Sequence, residues 1–255
     1  MIYNKLVQDT TNGIKKLAVL IDPSSITESY LREMIPLAEA SSVDYFFVGG
    51  SLMINDNLDV FCKLISETTD IPVILFPGSV FQLSKYADAV LFLSLISGRN
   101  PEALIGNHVI AAPLIKSYNL ETLSTGYMLI DGGNKTSVAY MSNTQPIPHE
   151  KKDIAVCTAL AGEMLGMRIL YLDAGSGAEK SVSLEMIQEI KEKTSLPLIV
   201  GGGIRTVEVA QNMYAAGADI IVIGNGAESN KHLITDIGSQ TKHLRHGGSR
   251  YIESR

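Results

Sequence analysis

The chain has 255 residues, of which 45% are hydrophobic and 19% charged, with a net charge of −6 and a mean hydropathy of +0.16. The length suits one barrel-sized domain of roughly 250 residues with a large core, and the acidic balance argues against non-specific nucleic-acid binding. No apolar run reaches the ~18 residues of a membrane span, Met1-Ile2-Tyr3-Asn4-Lys5 lacks the apolar segment of a secretion signal, and Cys62 and Cys157 form no CxxC, so a cytoplasmic chain with two reduced core cysteines is expected.

Short β-rich runs alternate with helical patterns, as a parallel α/β protein requires. The elements predicted in chain order are a strand at Leu17–Ile21, a helix at Glu28–Ala40, a strand at Tyr45–Val48, a helix at Leu58–Thr69, and strands at Val73–Phe76 and Ala89–Leu93. A helix at Pro101–Ala112, a strand at Tyr127–Ile130 and a helix at Asp153–Gly166 follow. Then come a strand at Ile169–Leu172, a helix at Ser183–Thr194, a strand at Leu198–Val200, a helix at Thr206–Ala216, a strand at Ile220–Ile223 and a last helix from Lys231. Eight strands with most helices between them predict a (β/α)8 barrel over residues 1–245. Residues 246–255 read as a tail.

A faint internal repeat supports a barrel built from halves. Ile71-Pro72-Val73-Ile74 and Ala87-Asp88-Ala89-Val90 resemble Leu196-Pro197-Leu198-Ile199 and Ala218-Asp219-Ile220-Ile221. Pro72 and Asp88 stand 16 positions apart, whereas Pro197 and Asp219 stand 22 apart. The first half therefore lacks about one and a half helical turns. Only Val80–Lys85 remains to cover the wall between the third and fourth strands, so the third helix is expected to be shortened or missing. The bare wall would be a groove for a long hydrophobic substrate, a surface filled by a neighbouring subunit, or ordinary loop-covered barrel.

The strand ends carry the chemistry. Gly201-Gly202-Gly203-Ile204-Arg205 follows an apolar strand, and the next strand ends in Gly224-Asn225. Two consecutive strand-to-glycine turns near the C-terminus predict a phosphate cup, because backbone N–H groups must approach phosphate oxygens closely. One strand earlier lies Tyr171-Leu172-Asp173-Ala174-Gly175-Ser176-Gly177. Tyr171 and Asp173 alternate with Leu172, so both point into the barrel mouth. Asp173 is placed to take a proton from a substrate hydroxyl and Tyr171 to orient it. Asp22, followed by Pro23, ends the first strand, and Ser51 follows Gly49-Gly50 at the end of the second. Together they suit a Mg²⁺–phosphate site; a helix cap and a plain turn are the other readings. The Gly/Asn/Ser/Thr-rich stretch from Asp131 to Pro148 reads as a lid or a disordered surface loop. The five histidines show no metal-ligand spacing and are assigned to surface or structure.

These motifs, from about Lys16 to His243, together resemble the geranylgeranylglyceryl phosphate synthase family. Asp173, where many relatives carry Glu, resembles its second subgroup, which includes archaeal and some bacterial members. The resemblance implies a Mg²⁺-dependent prenyltransferase joining sn-glycerol 1-phosphate to a polyprenyl diphosphate, by default geranylgeranyl. It implies Asp22 and Ser51 as the metal–diphosphate site. Tyr171, Leu172, Asp173, Ala174, Gly175, Ser176, Gly177, Gly202, Gly203, Gly224 and Asn225 would form the glycerol phosphate site, with Asp173 and Tyr171 catalytic. It also implies an apolar groove by the third helix, closed by a bulky residue such as Tyr86, Phe92 or Tyr118, and a homo-oligomer, dimer or hexamer. Two other classes stay open: a sugar-phosphate isomerase pairing Asp22 with Asp131, and a barrel that binds phosphate or lipid without turnover.

Overall fold

The computed structural model describes residues 1–224 and 232–247. Eight parallel strands close into a barrel in sequence order: β1 (Lys16–Ile21), β2 (Tyr45–Val48), β3 (Val73–Leu75), β4 (Ala89–Leu95), β5 (Glu121–Leu129), β6 (Ile169–Asp173), β7 (Leu198–Gly201) and β8 (Ile220–Ile223). The short, apolar strands are buried on both faces, as a sheet walled by helices requires. Alternate side chains go to two layers. Phe47, Ile74, Tyr127, Tyr171 and Ile199 fill the barrel interior, while Phe46, Leu75, Leu172 and Val200 pack against the surrounding helices.

The helices are α1 (Ile2–Thr11), α2 (Glu28–Ala40), α3 (Leu58–Thr68), α4 (Asn107–Ser117), α5 (Ser137–Ser142), α6 (Lys152–Met164), α7 (Leu184–Lys193), α8 (Val207–Ala216) and α9 (His232–Gly247). A π-turn over Glu102–Gly106 leads into α4. Thr27, Thr136, Ser183 and Thr206 cap their helices by accepting a backbone N–H three residues on. The internal repeat has a structural meaning. Asp88 Oδ2 accepts the N–H of Val73 at 2.8 Å, and Asp219 Oδ2 accepts that of Leu198 at 2.8 Å. Each aspartate thus ties the start of one strand to the start of the strand before it.

No helix forms over Val80–Lys85: β3 passes to β4 through an irregular strap, so of the two expected outcomes, shortened or missing, the helix is missing. Other expectations are corrected. β5 begins six residues before the predicted Tyr127, because the polar run Glu121-Thr122-Leu123-Ser124-Thr125 pairs in register with Ala89–Leu93 of β4. α1 lacks an expectation altogether; it buries Leu6, and the N–H groups of Ile2 and Tyr3 donate to the Glu121 carboxylate. Cys62 is buried, its thiol pushed up to about 12 by desolvation, but Cys157 is exposed on α6. α9 runs two residues past the expected end of the domain at 245, and residues 248–255 of the expected tail lie outside the described residues.

Candidate active site

The C-terminal ends of the strands open into one cavity of about 930 Å³. Asp22, Ser51, Tyr171, Asp173, Gly175, Ser176, Gly177, Gly202, Gly203 and Gly224 all line it. Leu172 and Ala174 do not: the strand alternation turns both side chains outward, where they are fully buried against the helices. Asn225 lies outside the described residues.

Asp173 sits at the centre. Its Oδ2 accepts the hydroxyl of Tyr127 at 2.6 Å, and its Oδ1 accepts the N–H of Gly175 at 2.7 Å. Burial raises its pKa above the ordinary carboxylate value, and the two hydrogen bonds pull it part of the way back. A carboxylate held this way is fixed in direction and more basic than one in water. Burial, with the Asp173 charge next to them, holds the Tyr127 and Tyr171 phenols well above their usual range. Both remain protonated donors. The Tyr171 ring stacks on Phe76 at 5.3 Å and meets Tyr127 edge-on at 5.4 Å, which makes an aromatic floor.

The glycines expected to form the cup follow β7 and β8, and the loop after β7 packs directly on the loop after β6. Gly202 adopts φ +84°, and a Cβ there would lie 2.7 Å from the Gly175 nitrogen and 2.8 Å from that of Ala174. The two loops are in backbone contact, so neither can carry a side chain between them. Arg205 adds a cation to the cavity wall while its guanidinium donates to the Ala178 carbonyl at 2.8 Å.

The opposite side of the mouth is formed by the ends of β1, β2 and β3. Asp22 is half-buried, and burial raises its pKa against the lowering effect of the Ser24 N–H, which donates to Oδ1 at 2.8 Å. From here the cavity extends into the gap left by the third helix, past Val80, Leu83, Val90, Phe92, Ala111 and Ile115. The missing cover is therefore a groove. Of the three bulky residues considered as its stop, Phe92 lines it, whereas Tyr86 and Tyr118 pack into the core beside it.

The stretch from Asp131 to Pro148 is ordered rather than loose. Ile147 bridges to Ile130, and α5 lays Ser137, Val138, Met141 and Ser142 over the cavity. Asn100 Nδ2 donates to the Ser142 carbonyl at 2.6 Å and ties this roof to the groove. Asp131 is not on the cavity wall. It accepts the Gly133 N–H within its own turn, so the Asp22–Asp131 pair of an isomerase is not assembled. Sequence reasoning missed Tyr127, Phe76 and His108, all three of which line the cavity. The alternation of β5 carried a signal for Tyr127, since Tyr127 and Leu129 both point inward. Its pairing opposite Tyr171 appears only once the β5–β6 register is known.

Residues 13–241 match the sequence profile described as the PcrB family. The chain belongs to the PcrB family. This PcrB chain is 52% identical over 236 residues to the geranylgeranylglyceryl phosphate synthase of Chitinophaga pinensis, covering 92% of the chain and 94% of that relative. It is 43% identical over 228 residues to the synthase of the same name from Methanosphaera stadtmanae, covering 89% and 93%. The fold superposes with a TM-score of 0.89 on (S)-3-O-geranylgeranylglyceryl phosphate synthase from Thermoplasma acidophilum, solved in complex with sn-glycerol-1-phosphate. There the identity is 32%, over 95% of this PcrB chain and 99% of that one.

Proposed function

We propose that the chain is a prenyltransferase that joins sn-glycerol 1-phosphate to geranylgeranyl diphosphate, forming geranylgeranylglyceryl phosphate and releasing diphosphate. One observation carries this reading. A single cavity runs from a glycine phosphate cup, past a buried carboxylate, into an apolar groove where the third helix is missing. A polar acceptor substrate and a long apolar donor each have a half of it.

The reaction follows from that division. The phosphate of the glycerol substrate is held by the backbone N–H groups of the cup, and Tyr171 and the Asp173 carboxylate orient its C3 hydroxyl. The prenyl chain lies along Phe92 and Val90, which brings C1 to the mouth. The hydroxyl oxygen bonds to C1 as the bond from C1 to the diphosphate oxygen breaks, and the electron pair leaves with diphosphate. Asp173 accepts the hydroxyl proton, a role suited to a carboxylate whose pKa burial has raised. Tyr127 keeps Asp173 from rotating away. Most of the acceleration comes from orienting two anchored substrates in a site that α5 roofs over.

The donors at the diphosphate side suit Mg²⁺, with Asp22 and Ser51 as its protein ligands. Among the described residues no three His, Cys, Asp or Glu side chains form a cage, and Mg²⁺ characteristically takes one or two carboxylates plus water and phosphate oxygens. Bound there, the ion would neutralise charge on the departing diphosphate. The exposed apolar residues Ile105, Val109, Ile110 and Leu114 on the π-turn and α4 support a homo-oligomer, which light scattering would reveal. Among the described residues no helix is long and apolar enough to cross a membrane.

The test uses labelled sn-glycerol 1-phosphate, geranylgeranyl diphosphate and MgCl₂, followed by extraction into organic solvent. Label entering the organic phase in proportion to enzyme and time is expected. Label that stays aqueous with every prenyl diphosphate length would sink the reading.

A further inference from the structure

The strap that replaces the third helix carries one residue that the reaction above does not use. Gln82 is 2% exposed and does not line the cavity. Its side-chain amide nonetheless bridges the two loops that do. Oε1 accepts the N–H of Gly78 at 3.0 Å and that of Gly50 at 3.3 Å, while Nε2 donates to the Gly50 carbonyl at 2.8 Å. Only glutamine or asparagine offers an acceptor with two lone pairs and a donor on one planar group. The two N–H partners and the single carbonyl partner fix which end is oxygen.

The bridged loops are packed as tightly as backbones allow. A Cβ on Gly78 would lie 2.3 Å from the Gly50 carbonyl oxygen, and one on Gly49 would lie 2.1 Å from that of Phe76. Gly50 in turn presses on the Asp22 carboxylate, where a Cβ would come within 2.7 Å of Oδ2. Gln82 thus reaches Asp22 and Ser51 through one shared turn. Among the described residues no helix stands between β3 and β4 to back this turn, and the buried amide takes over that task.

We infer that Gln82 is a positioning residue for the diphosphate half of the site, acting through Gly50 and Gly78 on Asp22 and Ser51. This rests on the two-substrate reading above. Loss of its bonds leaves the Gly50 and Gly78 backbone groups without their amide partner, so the turn shifts to find other partners. The glycerol phosphate cup, on the loops after β7 and β8, keeps its shape.

The experiment compares the full-length wild type with Gln82→Met, which keeps the volume and removes all three bonds, and Gln82→Glu, which keeps the acceptors and loses the donor. Binding of inorganic diphosphate with MgCl₂ and, separately, of sn-glycerol 1-phosphate is measured by calorimetry. Outer-sphere partners of this kind are worth about 10–100-fold in affinity or activity. The dissociation constant for diphosphate and the KM for the prenyl diphosphate should rise about tenfold or more in Gln82→Met. Gln82→Glu should fall between the two, and the constant for sn-glycerol 1-phosphate should stay within about twofold throughout. If Gln82→Met fails to fold, Gln82→Glu carries the same comparison. Equal losses for both ligands, or no loss for diphosphate in a folded variant, overturn the inference while wild-type turnover keeps the functional reading. A wild type that binds neither ligand overturns both.

Discussion

Tyr127 donates its hydroxyl to Asp173 Oδ2 over 2.6 Å, from the position directly opposite Tyr171 in the β5–β6 ladder. The bond lowers the pKa of a carboxyl group that burial raises. Tyr127→Phe removes only that lowering, so the pKa of Asp173 climbs further. A base must be ionised, and the acid limb of the kcat/KM profile should therefore move to higher pH. Profiles of wild type and variant recorded side by side decide it. An unmoved acid limb with a uniformly lower rate would mean that Tyr127 serves only packing.

Asp173→Asn separates chemistry from stability. The folded pKa of Asp173 lies above its unfolded value, so its contribution to stability is fully present below the unfolded pKa, near 3.9. That contribution is lost as pH rises through the folded pKa. At neutral pH the ionised side chain is a burden on the fold, and asparagine removes it. Ether formation should drop by about 10²–10⁴-fold, the usual worth of a general base, while Tm at pH 7.5 holds or rises. A folded variant with wild-type turnover would remove Asp173 from the mechanism.

Asp22→Asn keeps the shape of the first-strand turn, including acceptance from the Ser24 N–H, and removes the negative charge. The Mg²⁺ concentration for half-maximal rate should rise by about tenfold or more, as loss of a metal-binding contact commonly does. The dissociation constant for sn-glycerol 1-phosphate should be unaffected. Metal titration of initial rates measures the first and calorimetry the second. An unchanged Mg²⁺ requirement would return Asp22 to the role of a turn residue.

What was legible in the sequence follows from how locally each feature is encoded. The barrel was legible because each buried parallel strand reads as a short apolar run bounded by turn residues. The cup and Asp173 were legible because glycine clusters and strand alternation act within a few residues. The missing helix was legible as a spacing difference between two halves. Tyr127, Gln82 and His108 were not, because their meaning depends on which strands pair and which loops touch. The first six residues of β5 were hidden for a related reason. Glu121 and Thr125 are polar, and their places at the barrel base are justified by the α1 amides and the Leu123 carbonyl.

Gly202→Ala tests the cup against a control. The new Cβ would collide with backbone nitrogens at 2.7 and 2.8 Å, and φ +84° is strained for alanine. The loops must part, so the dissociation constant for sn-glycerol 1-phosphate should rise by about tenfold or more, together with a loss of stability of about 1–3 kcal/mol. At Gly224 the nearest atom to a Cβ among the described residues is on Leu20 at 3.4 Å, an ordinary contact. Gly224→Ala should leave Tm unchanged, and any affinity it loses then reports contact with the ligand itself. Equal affinity in Gly202→Ala and wild type would move the phosphate elsewhere.

His108 supplies a pH test away from the reacting atoms. The ring is buried on the groove wall, edge-on to Phe92 at 4.4 Å. Its Nε2 lies 3.3 Å from Ser94 Oγ, and the one hydroxyl proton of Ser94 goes to the Leu104 carbonyl at 3.1 Å. Nδ1 is buried with no hydrogen bond among the described residues. Burial lowers the pKa, and the carbonyls of Leu93 and Ile105 restore only part of it. Below the unfolded value of about 6.5, the unfolded chain takes a proton that the folded chain still refuses. Stability must then fall as pH drops through that value and level off only below the folded pKa. His108→Leu removes this dependence. Urea denaturation at pH 7.5 and pH 5.5 should show a smaller acid loss for His108→Leu than for wild type, and the same loss in both would mean that the ring protonates freely in the folded groove.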